Sequence, residues 1–182
     1  PTNKSSRGWL EYGLGTPRLL LLSANATHPD GLANSSGLVG RYLMHHVYVE
    51  ASLIFPEPID GFMGAYGAPI LSQEFYDTDV RRGFVNGLTF QIGRGLTAAH
   101  AALATPWGAG HRDAFARLFN HEIWVGVGGE DLPLHDNRVE LDPEHPDSSG
   151  LPGVKVTWDL DPNDLRLDAY GTARVKELGA AA

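Results

Sequence analysis

Side-chain character alternates strictly over residues 47–55 (VYVEASLIF), and this pattern limits the possible fold more than any other in the chain. In an extended chain, one side would carry Val47, Val49, Ala51, Leu53 and Phe55, and the other Tyr48, Glu50 and Ser52. Successive side chains of a β-strand point to opposite faces of its sheet, so the pattern predicts a half-buried strand. A sheet with one apolar face needs a second layer to cover it.

Further segments predict the rest of the sheet and its cover. Strands are expected at residues 88–92, 122–127, 138–141 and 154–160, with a turn at 128–130 and the last two strands paired. Helices are expected at residues 16–22, 96–104, 111–120 and from Asp161 onward. Near-helical spacing predicts a core face of the last helix at Leu165, Ala169, Ala173 and Leu178. We therefore predict an α+β fold, a mainly antiparallel sheet with helices packed on one face.

The step Thr16-Pro17 predicts the start of the first helix. A Thr side chain can cap free backbone N–H groups, and Pro is tolerated at the first helical position. Gly13 and Gly15 precede this step and would let the backbone approach a ligand closely, which suits a phosphate at a helix N-terminus. A short buried helix after a turn explains the same residues without a ligand.

Three segments resemble one enzyme family. The first is TPRLLLLS (residues 16–23), the second GLANSSGLVGRYLMHH (31–46), and the third runs from NRVELDP (137–143) through DSSGLP (147–152) to PND (162–164). In this order they resemble sequence motifs of the glucose-methanol-choline oxidoreductases, which are FAD-dependent. The resemblance implies that residues 1–15 include the end of an FAD domain and that residues 16–182 belong to a substrate-binding domain with an antiparallel sheet.

The resemblance also implies roles for single residues. Gly15, Thr16 and Pro17, with the motif-final His46, are the expected cofactor-binding residues. The family places its dinucleotide fingerprint before the Thr-Pro helix and its catalytic His after the last helix, in a Gly-Thr-Cys-Arg-Met-like region. No catalytic residue is therefore expected here, and the chain is interpreted as an excerpt of a flavoenzyme that would not bind FAD tightly by itself. Some positions depart from the family pattern: residues 12–15 (YGLG), Tyr42 and His45.

Composition excludes several other classes of function. The 182 residues include 14 Lys and Arg and 22 Asp and Glu, a formal net charge of −8 with His neutral. This argues against a nucleic-acid or anionic-membrane surface. Without cysteine the chain has no disulfide, thiolate metal site or cysteine nucleophile. No apolar run is long enough for a membrane span, and nothing in the sequence indicates a compartment.

Residues 93–98 (GRGLTA) offer a competing interpretation. They follow a predicted strand and fit the G-x-G-x-x-A pattern of dinucleotide-binding turns. The helix after them is short and ends before Pro106, and no second parallel strand with a terminal acid follows. A glycine-rich turn between a strand and a helix is the simpler interpretation.

The histidines do not form a metal-binding pattern. None of the eight falls in H-E-x-x-H or H-x-H spacing, and the adjacent pair His45 and His46 would point to opposite sides of a strand. His46 is expected to orient a loop by hydrogen bonding.

The resemblance implies that FAD in the parent protein accepts a hydride from an alcohol or sugar while a His outside this chain removes the hydroxyl proton. This chain would supply one wall of the substrate pocket, and its partners would be a small alcohol or sugar and the remaining FAD domain. Two other interpretations stay open: a free-standing ligand-binding or interaction domain without catalysis, and a small nucleotide-dependent enzyme that uses residues 93–98.

Overall fold

The computed structural model describes residues 13–63 and 69–182. Within them the chain forms four α-helices, a four-stranded sheet and a two-stranded sheet, and every strand pair is antiparallel. The prediction of an α+β fold is confirmed. The chain divides into two compact units. The first unit comprises residues up to Met44 and Pro133–Asp159, and the second comprises His45–Leu132 and Leu160–Ala182.

Among the described residues, the first unit contains one helix and one hairpin. Its elements are α1 (Gly15–Leu22), β5 (Arg138–Asp142) and β6 (Gly153–Thr157), numbered in chain order with those of the second unit. β5 and β6 pair antiparallel, which confirms the predicted pairing, although β6 ends three residues earlier than expected. The predicted domain segment 1–15 falls mostly on residues 1–12, which lie outside the described residues, so that division stays a prediction.

In the part of it that the structure describes, the second unit contains the four-stranded sheet and three α-helices. Its elements are β1 (His46–Ile54), β2 (Ile70–Ser72), β3 (Leu88–Arg94), α2 (Ala98–Ala104), α3 (His111–Leu118), β4 (Glu122–Glu130) and α4 (Pro162–Ala181). The strand order in the sheet is β1-β4-β3-β2. Burial along β1 alternates as the sequence predicts, with Val47 buried and Tyr48 exposed. One face of the sheet therefore packs in the core. We call the opposite face, which carries Tyr48, Glu50 and Ser52 of β1, the open face.

β4 continues beyond the predicted boundary. The sequence predicts a turn at residues 128–130, but Gly128, Gly129 and Glu130 remain in the strand. A Cβ added to Gly129 would lie 2.1 Å from Cδ2 of Leu167 on α4. The turn prediction is wrong because this glycine serves close packing between the sheet and the helix.

α4 covers the core face of the sheet. Asp161 caps its N-terminus by accepting a hydrogen bond from the Asn163 backbone, while Asp164 accepts one from the Asp161 backbone, which completes a capping box. The start predicted at Asp161 and Pro162 is confirmed. Besides the capping residue Asp164, the buried positions recur every four residues, which is close to one helical turn: Asn163, Leu167, Gly171 and Val175.

The predicted core face of α4 is wrong. Leu165 and Leu178 are exposed, and Leu167 lies fully buried in their place. The helix approaches β4 so closely that a Cβ on Gly171 would lie 3.1 Å from Cγ1 of Val127. The small residue Gly171 lies on the contact face of α4, and the spacing of apolar residues in the sequence did not predict this.

Two leucines of α4 provide a matched test of this packing. Leu167 is 0% exposed and Leu165 is 53% exposed. We expect Leu167→Ala to lower the free energy of unfolding by about 2 to 5 kcal/mol, because it removes apolar contacts and leaves a cavity. The same change at Leu165 should cost less than about 1 kcal/mol. Urea unfolding of both variants measures the difference, and equal losses would contradict the burial described.

Candidate functional site

Three of the predicted site residues, Gly15, Thr16 and Pro17, lie together in the first turn of α1. The helix begins at Gly15 with Leu14 at the N-cap, and no side chain caps it. The predicted capping role of Thr16 is therefore wrong, because Thr16 is already the second helical residue. Pro17 is tolerated at the third position because the first four N–H groups of a helix have no intrahelical acceptor.

Residues of the first and third motifs meet in the first unit. The Arg18 guanidinium donates to Oδ2 of Asp147 at 2.6 Å and to the carbonyl of Pro152 at 2.7 and 2.9 Å. Asp147 Oδ1 accepts from the backbone N–H groups of Ser149 and Leu151 at 2.8 and 3.1 Å. The hydrogen bond from Arg18 and those from the backbone lower the pKa of Asp147. Arg18 thus connects the DSSGLP turn to α1 by hydrogen bonds.

The second motif lies along β5. The Val139 N–H donates to the Gly40 carbonyl at 2.8 Å, and the Leu43 N–H donates to the Asn137 carbonyl at 2.8 Å. Gly40 has φ +84°, and a Cβ on it would lie 2.2 Å from the Val139 carbonyl oxygen. Only glycine satisfies both conditions without strain. The motif residues therefore have physical roles in building the first unit.

His46, the fourth predicted site residue, belongs to the second unit and is the first residue of β1. Its Nδ1 lies 3.3 Å from the Gly129 carbonyl oxygen. Because a carbonyl only accepts, Nδ1 carries the proton, and in the neutral ring Nε2 is then an acceptor. The ring is exposed, so this nitrogen can reach a ligand.

Asp131, which the sequence analysis did not single out, positions the start of β1. Its buried carboxylate accepts from the His45 N–H through Oδ2 and from the Val47 N–H through Oδ1, both at 2.9 Å. These bonds fix the backbone on each side of His46. The sequence does place an acid, Asp131, directly after a glycine-rich strand. The predicted turn at residues 128–130 drew attention away from this position.

The open face carries an aromatic pair around a glycine. Tyr48 on β1 and Trp124 on β4 stack with ring centroids 6.4 Å apart and an interplanar angle of 28°. Gly126 lies beneath them, because a Cβ there would lie 2.4 Å from the Tyr48 hydroxyl oxygen and 2.7 Å from the Trp124 ring. The Tyr48 hydroxyl donates to Oε1 of Gln91 on β3 at 3.2 Å. Burial, and secondarily the Glu50 charge, raises the pKa of Tyr48.

A buried carboxylate closes one end of this face. Glu122 accepts hydrogen bonds from the Ser52 hydroxyl and, at 3.1 Å, from the Leu96 backbone N–H. A Cβ on Gly95 would lie 2.1 Å from the Glu122 carbonyl oxygen. Glu122 therefore holds the turn after β3 against β4, and Gly95 permits the close approach.

The topology removes the nucleotide-binding interpretation of residues 93–98. β3 and β4 are adjacent and antiparallel, whereas a dinucleotide-binding turn needs a parallel β-α-β unit. The intervening helix α2 has seven residues, and Thr97 caps it by accepting from the His100 N–H. The predicted strands at residues 88–92 and 122–127 are themselves confirmed.

Two negative findings concern residues 13–63 and 69–182. No three His, Asp or Glu side chains in these ranges are grouped so that they could hold a metal ion. None of the helices described there has the length and apolar character required to cross a membrane.

Comparison with known proteins identifies relatives over most of the chain. It is 49% identical over 176 residues to 2-methyl-1,2-propanediol dehydrogenase of Mycolicibacterium austroafricanum, covering 93% of this chain and 32% of that protein. Fructose dehydrogenase large subunit of Gluconobacter japonicus is 31% identical over 175 residues, covering 93% of this chain and 31% of its own length. Gluconate 2-dehydrogenase flavoprotein of Pantoea cypripedii is 25% identical over 172 residues, covering 89% and 28%.

The chain thus spans about a third of the length of these relatives. No protein-family model matches the chain. All three relatives are dehydrogenases by name, so the chain corresponds to a portion of an oxidoreductase.

Proposed function

We propose that this chain is part of an FAD-dependent dehydrogenase of alcohols or sugars. The proposal starts from the finding that the chain is related, over most of its length, to one segment of the glucose-methanol-choline oxidoreductases. In this proposal residues up to 15 close the FAD domain and residues 16–182 belong to the substrate-binding domain. The chain supplies a wall of the substrate pocket, and the residues that carry out proton transfer lie outside it.

The open face is the observation that carries the pocket proposal. Its centre combines two aromatic rings, an amide and a hydroxyl around a glycine that has no side chain of its own. Ligand sites commonly join apolar and aromatic surface to a few oriented polar groups. The aromatic rings suit the C–H surface of an alcohol or sugar, and the amide and hydroxyl suit its oxygen atoms.

A second part of the proposal concerns the cofactor. Gly15, Thr16 and Pro17 lie in the first turn of α1, where the positive end of the helix dipole suits a phosphate, and the His46 ring offers an acceptor nitrogen. We therefore propose Gly15, Thr16, Pro17 and His46 as the FAD contacts of this chain, with Pro17 contributing its rigid backbone. When bound, FAD accepts the hydride from the alcohol carbon.

The chain's own residues would act on the substrate without exchanging electrons. Tyr48 and Gln91 would orient the alcohol by hydrogen bonding, and Trp124 would exclude water from one side of it. Asp131 would hold the backbone around His46 in place.

The test uses the complete protein that contains this segment. We expect it to be yellow when purified and its flavin absorbance to bleach when an alcohol or sugar is added without oxygen. The isolated chain is expected to be colourless and unchanged by added FAD. A complete protein without flavin would contradict the proposal and favour the free-standing binding domain.

A further inference from the structure

The open face aligns three residues in one row across three strands. Glu50 on β1 and Gln91 on β3 both pair in register with Gly126 on β4. Their side chains flank a glycine from two strands that lie about 10 Å apart, which is twice the spacing of neighbouring strands. The Tyr48 hydroxyl lies over the same glycine and bonds to Gln91.

We infer that Tyr48, Gln91 and Glu50 form a hydroxyl-binding subsite that selects substrates with a second hydroxyl group besides the one that is oxidised. This inference rests on the proposed function, because it assigns a substrate class to the same open face. The selected class is small diols and polyols, and simple monoalcohols are the disfavoured class.

The hydrogen-bonding capacity of the pair supports a hydroxyl ligand. The single Tyr48 proton is donated to Gln91 Oε1, so the Tyr48 oxygen can only accept from a ligand. The Gln91 amide nitrogen has two N–H donors that this bond does not use. A hydroxyl group both donates and accepts, so one hydroxyl can satisfy both partners. An ether or ketone oxygen could use only the amide.

The charge of Glu50 narrows the ligand class. This exposed carboxylate lies close enough to Tyr48 to raise its pKa and accepts hydrogen bonds. It would repel a carboxylate on the substrate and attract a further hydroxyl donor. A neutral diol or polyol therefore suits the row better than a sugar acid.

The test compares two substrates of the complete flavoprotein, propylene glycol and n-propanol, which differ by one hydroxyl. We expect Tyr48→Phe to lower the ratio of kcat/KM for the diol to that for the monoalcohol by about tenfold, since one neutral hydrogen bond is lost. The loss should lie in KM for the diol, with kcat nearly unchanged. Tyr42→Phe is the matched control, because Tyr42 is 43% exposed and Tyr48 40%.

The outcomes separate this inference from its premise. If the wild-type protein oxidises both alcohols but Tyr48→Phe changes them equally or not at all, the subsite is overturned and the proposed function stands. If no alcohol or sugar reduces the wild-type flavin, the proposed function fails and this inference fails with it. A lowered ratio in Tyr48→Phe, absent in Tyr42→Phe, is the expected result.

Discussion

Gly126→Ala is expected to lower kcat/KM of the proposed dehydrogenase by about 100-fold, the scale of loss that a displacement of about 1 Å can cause. The added Cβ would lie 2.4 Å from the Tyr48 hydroxyl oxygen and 2.7 Å from the Trp124 ring, so both side chains must move. The core face of the sheet is untouched, because Gly126 belongs to the open face. We therefore expect the melting temperature to change little while activity falls. Steady-state kinetics and thermal unfolding measure the two effects.

Gly128→Ala provides the matched control on the same strand and face. A Cβ at Gly128 would lie 3.4 Å from the nearest atom of the Tyr48 ring, which is an ordinary van der Waals contact. Its kcat/KM should stay within about threefold of the wild-type value. Equal activity in the two variants would show that the space over Gly126 is unimportant for turnover.

Asp131→Ala is expected to cause the second large effect, a loss of about 2 to 6 kcal/mol in the free energy of unfolding. The substitution leaves the His45 and Val47 N–H groups without their carboxylate acceptor, and each such loss costs about 1 to 3 kcal/mol. Urea unfolding of the chain measures the change. We also expect the His46 ring resonances to shift in NMR spectra, since β1 loses its fixed start.

Asp136→Ala is the control for the loss of an acid. The Asp136 side chain is 89% exposed and pairs with His135 at the surface. Its replacement should change the free energy of unfolding by less than about 1 kcal/mol. If Asp131→Ala proved as mild as Asp136→Ala, the carboxylate would not hold β1 in place.

The elements that sequence predicts well are those defined by local chemistry. Alternation over residues 47–55 located β1, and the cap and proline at Asp161 and Pro162 located α4. The sequence-based predictions fail where contacts between residues far apart in the sequence determine the structure. Gly129 was interpreted as part of a turn because glycine favours turns, yet it makes room for Leu167 within a strand.

The candidate site was less accessible from the sequence than the fold. Tyr48 was assigned correctly to the polar side of its strand, but its partners Gln91 and Trp124 lie more than 40 residues away, on strands whose register no local pattern determines. Asp131 was missed because its role depends on the antiparallel pairing of β1 with β4. The family resemblance was confirmed by the relatives, whereas the roles of Gly15, Thr16, Pro17 and His46 toward FAD stay predictions.

If the open face is a wall of the substrate pocket, a structure of the complete protein with FAD and a bound diol will show the diol on this face. We expect the diol to lie over Gly126, with an oxygen atom within hydrogen-bonding distance of the Tyr48 hydroxyl and the Gln91 amide. A diol bound elsewhere, with the open face covered by other parts of the protein, would contradict the claim.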